Sequence, residues 1–229
     1  MHPLFSRLLL LLCLPMGWGC AAMGTLQTAD TLGAGKTRWS AQLMAQATPS
    51  AAPLPHAAVG LQHGLTDSLD VGARVFSTAG VELSGKVRLV DAEDSPWVVS
   101  LAPVVGVHHP VPRFDDYRAY NEQRYATLPV LVGLKVGEGS QLVAGLRPTW
   151  LYFPQVDGPG ERRPAESGFA LGGSVGYAFR VGPRVRLMPE LAVQLPLGPQ
   201  PSALEVRTEG TKPHVQLGLA LMLDTGSEE

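Results

Sequence analysis

The sequence has almost no cysteine. Only Cys13 and Cys20 occur in 229 residues, and Cys13 lies in a leader-like segment. A disulfide framework is therefore excluded. Long hydrophobic runs are missing too. The stretch from Leu8 to Leu14 is too short to span a bilayer as a helix. Charge of one sign is also scarce: 18 Lys and Arg against 20 Asp and Glu leave a net charge of −2, with no basic stripe for nucleic acid. The catalytic and cofactor motifs are absent as well. There is no His-Glu-x-x-His, Gly-x-Ser-x-Gly, phosphate loop or Cys-x-x-Cys. The sequence names no catalytic residue, metal ligand or cofactor.

Turn formers are abundant, with 26 Gly and 20 Pro. That suits many short-linked strands. Residues 1–20 read as an export signal: Arg7 supplies the positive start, Leu8 to Leu14 the apolar part, and Pro15 breaks it. Two processing routes stay open. Gly19-Cys20-Ala21 resembles a bacterial lipobox, which would lipidate Cys20, whereas a cut after Ala22 would leave no lipid. Residues 21–35, small and polar without a period, read as a periplasmic tether.

From residue 36 the pattern alternates with period two. The clearest case flanks Gly182-Pro183. Phe169, Leu171, Val175, Tyr177 and Phe179 share one face, then Val185, Leu187, Leu191 and Val193 continue it. The other face carries Gly, Ala, Ser, Arg and Glu. Ten such strands are expected, at 36–47, 54–63, 69–76, 81–90, 96–107, 125–136, 141–153, 166–181, 184–193 and 212–223. The links alternate short and long, with the long ones at 108–124, 154–165 and 196–211. A polar tail covers 224–229. This predicts an all-β fold: an antiparallel up-and-down transmembrane β-barrel of about ten strands, with both termini on the periplasmic side. Trp39, Trp97, Trp150, Tyr152 and Phe153 near strand ends fit interfacial girdles.

With the apolar faces in lipid, Arg74, Glu82, Lys86, Arg88, Lys135, Arg147, Arg180, Arg184, Arg186, Glu190 and Asp70 line or cap one lumen. An excess of bases there suits anions, while mutual ion pairs would fill so narrow an interior. Alternation alone also allows the inverse: a soluble periplasmic, lipocalin-like barrel holding an apolar ligand. A third reading is an enzyme at the rim, using His108, His109, Asp115 and Asp116 in the longest loop.

The Gly-Cys site, the run from Thr28 to Lys36 and the repeated apolar hairpins together resemble small outer-membrane β-barrel lipoproteins of uncharacterised function. The resemblance implies a non-enzymatic structural or porin-like role in the cell outer membrane. It also implies outer-membrane lipid and the barrel-assembly machinery as partners. The last strand departs from that pattern: it ends at Leu223 with a polar tail rather than at a terminal aromatic residue.

Overall fold

The computed structural model describes residues 24–48, 51–77, 79–91, 95–108, 122–154, 156–158, 161–197 and 213–225. The strands in chain order are β1 (Thr37–Thr48), β2 (Ala51–Gly64), β3 (Leu69–Phe76), β4 (Gly80–Asp91), β5 (Trp97–Leu101), β6 (Val104–His108) and β7 (Gln123–Thr127). They continue with β8 (Val130–Lys135), β9 (Gln141–Phe153), β10 (Val156–Gly158), β11 (Glu161–Arg163), β12 (Glu166–Gly182), β13 (Val185–Leu197) and β14 (His214–Thr225). All but β10 and β11 join one antiparallel sheet.

Two of the expected strands are each broken by proline. β5 and β6 form one bent stave around Ala102-Pro103, and β7 and β8 form another around Leu128-Pro129. Proline has no N–H to give a ladder. The neighbours close the gap instead: Ala102 N–H donates to Pro129 O at 2.8 Å, and Gly85 N–H to Pro103 O at 2.9 Å. The twelve sheet strands thus make ten staves, and β12 pairs with both β13 and β9, which closes the sheet into a barrel. The first and last strands meet in register, with Trp39 opposite Leu223.

Smaller differences from the expected boundaries have local causes. The stretch 48–53, expected as a link, is mostly strand, because β2 already begins at Ala51. The expected loop 154–165 contains the small hairpin of β10 and β11. The link between β8 and β9 turns on Gly137 (φ 70°) and Gly139 (φ 74°), a left-handed backbone that glycine adopts without strain.

The outer face is apolar, and the inner face mixes charged, polar and apolar side chains. Leu83 is 58% exposed on the outside, while Lys86, on the same strand, is 1% exposed on the inside. Val59, Val75, Leu43, Leu217 and Leu219 join Leu83 on the outer surface. Met44, Met188, Met222, Gln141 and Gln216 point inward. Phe153 is a correction to the expected girdle, because it faces inward and is buried. Trp39, Trp97 and Trp150 do lie outside, with Trp150 stacked on Tyr152 at 5.7 Å between ring centroids.

The larger correction concerns residues 21–35. Their described part, 24–35, does not hang below the barrel as a tether. It enters the lumen, where Thr25, Leu26, Thr28 and Ala29 are buried. No period marks such a segment, since a strand-free chain inside a barrel takes its contacts from every side.

Candidate functional site: the lumen and its mouth

The site is the barrel interior, divided into a filled middle and a wet mouth. In the middle, side chains from separate staves converge on the backbone of residues 24–32. Glu190 on β13 accepts from the Leu26 N–H at 3.0 Å and from the Thr25 hydroxyl at 2.7 Å. Lys86 on β4 donates to Thr28 O at 3.1 Å, and Ser100 on β5 donates to Ala29 O at 2.5 Å. Gln141 on β9 accepts from Ala29 N–H at 2.8 Å and donates to Asp30 at 3.0 Å. Arg147, also on β9, donates to Gly24 O at 3.1 Å. Asp70 on β3 accepts from Leu32 N–H at 3.1 Å.

A segment lacking secondary structure cannot satisfy its own backbone. Here the inward polar side chains of the wall do so, and the segment in turn gives those side chains partners. Steric fit supports the same seat. Leu26, held at φ 44°, packs on Gly218, where a Cβ would lie 3.1 Å from its side chain. A Cβ on Gly133 would stand 2.8 Å from that of Ala29. These glycines make room for the segment.

The charges expected in the lumen fall into two groups. Arg74, Glu82, Lys86, Arg147 and Glu190 are inside and part of one dense network. Arg74 pairs with Glu82 and donates to Gln42 at 2.9 Å. Tyr125 donates to Glu82 at 2.6 Å. Lys86 stands 3.5 Å from Asp70. The second group, Arg88, Lys135, Arg180, Arg184 and Arg186, surrounds the mouth at the short-turn end. Sequence reasoning missed Ser100, Gln141, Tyr125 and Gln42, which are uncharged. Their place on inward-alternating positions was the available signal.

A largely apolar exterior around an interior that buries Asp70, Glu82, Lys86, Arg147 and Glu190 decides the environment. A water-soluble barrel would expose Lys86 and bury Leu83, and this chain does the reverse. The chain is a transmembrane β-barrel. The lipocalin-like reading is overturned by the same fact: buried charges and the backbone of residues 24–32 fill the middle of the lumen, beside a buried apolar cluster that includes Met44, Met188 and Met222. Of the rim residues considered for catalysis, His108 turns inward, edge-on to Phe76 at 6.5 Å between ring centroids. His109, Asp115 and Asp116 lie outside the described residues, as do Cys13 and Cys20. Among the described residues, no three His, Cys, Asp or Glu side chains are placed to hold a metal ion.

No family model matches the chain, and no curated protein sequence matches it. Solved structures do. Neisserial surface protein A is 11% identical, with a TM-score of 0.41 over 82% of this chain and 95% of that one. The translocator domain of autotransporter NalP from Neisseria meningitidis is 12% identical, with a TM-score of 0.47 over 87% and 91%. An outer-membrane channel from Pseudomonas putida F1 is 14% identical, with a TM-score of 0.47 over 90% and 100%. The transmembrane assignment rests on the closed ladder and the two faces of this chain itself.

Proposed function

We propose that this protein is a non-enzymatic barrel of the bacterial outer membrane, closed at rest by its own N-terminal segment, with a structural or narrow-pore role. The observation that carries the reading is the occupation of the lumen by residues 24–32, pinned from β3, β4, β5, β9 and β13. A void of about 60 Å³ remains beside the segment, lined in part by Thr25, Gln42, Arg74 and Glu82. That is room for a few waters and none for a hydrated solute.

In this reading residues 1–20 direct export. The start of β1, beside Lys36, and the end of β14, at Thr225, lie at the short-turn mouth, whereas Gly24 lies inside the lumen; in this reading the short-turn mouth is the periplasmic rim. The barrel-assembly machinery would insert the chain, and outer-membrane lipid would cover its apolar band. Lipidation of Cys20 would add an anchor.

Single-channel recording in planar bilayers tests the plug. The full chain should be silent, and a chain lacking residues 24–32 should show discrete conductance steps. Steady conductance from the full chain would overturn the closed state. The deletion strips partners from Lys86 and Glu190, so its folding is checked by the gel shift between unheated and boiled samples. A milder variant, Ser100→Ala with Gln141→Ala, keeps the segment and should flicker open.

A further inference from the structure

The mouth of the barrel holds a second cavity, of about 400 Å³, which the plug does not fill. Its wall gathers seven cationic side chains and only three carboxylates, Asp30, Asp91 and Asp224. Two of those carboxylates are already shared. Asp91 bridges Arg88 and Lys135, each at 2.7 Å. Asp224 bridges Arg38 at 2.5 Å and Arg186 at 3.4 Å. Asp30 faces Gln141. Among the described residues, Lys36, Arg180 and Arg184 have no carboxylate partner.

These three cations come from separate places: the start of β1, the end of β12 and the turn before β13. The fold gathers them on one cavity, although like charges repel. Arg180 lies across the turn at Gly139, where a Cβ would stand 2.6 Å from its Nε. All three are exposed, so water screens their mutual repulsion and leaves their donors free to meet an anion that enters the cavity. Guanidinium groups match phosphate oxygens by paired N–H donation, and a lysine adds a mobile point charge.

We propose that this vestibule binds a multivalent phosphate-type anion, held by Lys36, Arg180 and Arg184, with Arg88 and Arg186 as supporting donors. Two sources share that chemistry: a soluble oligophosphate entering from the periplasm, or the headgroup of an anionic lipid at the rim. The site stands whether or not the plug ever leaves the lumen.

The probe is tripolyphosphate, titrated calorimetrically into the folded full chain in a neutral detergent. One saturable site is expected, weakening as salt rises. Arg180→Gln with Arg184→Gln should weaken it roughly tenfold or more, because each lost contact is a charge-assisted hydrogen bond. Arg124→Gln removes a cation on β7, away from the vestibule, and should leave binding unchanged. Absence of saturable binding, or equal weakening by Arg124→Gln, overturns the proposal. Binding that appears only in a chain ending at Thr225 also overturns it, because Glu228 and Glu229 of the tail would then be the natural occupants. Repeating the titration in bilayers separates the sources. Weaker binding in phosphatidylglycerol than in phosphatidylcholine assigns the site to a lipid headgroup, and equal binding assigns it to a soluble anion.

Discussion

The middle of the lumen and its mouth are built from similar residues and solve opposite problems. In the middle, Lys86, Asp70, Glu82 and Glu190 are all buried. Each is met by an opposite charge or a hydrogen bond, and the plug supplies several of those partners. At the mouth, bases outnumber acids and water screens them. The difference teaches where charge is structural and where it is available. A buried charge must be satisfied by the fold, so it is committed. A solvated charge carries no such obligation and is free to meet a ligand.

Lys86→Met should break that contrast most severely. It leaves Asp70 buried without its counter-charge and removes the donor to Thr28 O. The expected loss is about 3–5 kcal/mol, read from urea unfolding of the protein in lipid vesicles. An unchanged midpoint would mean that water reaches the middle of the lumen.

The outer face comes next. Leu83→Arg places a cation against lipid and should cost about 2–4 kcal/mol if it lies near the bilayer midplane. The fraction that folds, judged by heat-dependent gel mobility, should fall accordingly. Normal folding would argue against a lipid-facing position.

The smallest effect belongs to the mouth. Arg184→Ala should change stability by no more than about 0.5 kcal/mol, since this exposed side chain has no carboxylate partner among the described residues. A loss comparable to that of Lys86→Met would erase the distinction between the two regions.

Much of the barrel is legible in the residue pattern, for a physical reason. A strand points successive side chains to opposite faces, so Val81, Leu83 and Val87 against Glu82, Ser84 and Lys86 declare two environments at once. Strands β3 and β9 occur at the positions expected for them. The broken staves were less legible. Pro103 and Pro129 interrupt hydrogen bonding without interrupting the alternation that reveals a strand. Phe153 was misplaced because aromatic character near a strand end says nothing about which face it occupies.

The sequence by itself determined the number of staves, the composition of each face and the grouping of charges on one of them, because all three follow from local periodicity. Which face met lipid was an inference from composition, and the closed ladder made it a fact of geometry. Only the tertiary structure decided that residues 24–32 lie inside. Their contacts reach Asp70, Ser100, Gln141 and Glu190, up to 165 positions away along the chain. The separation of committed from available charge has the same origin. Whether an arginine is buried against a backbone carbonyl, as Arg147 is, or stands in water, as Arg184 does, depends on its height in the barrel, and no local pattern records that height.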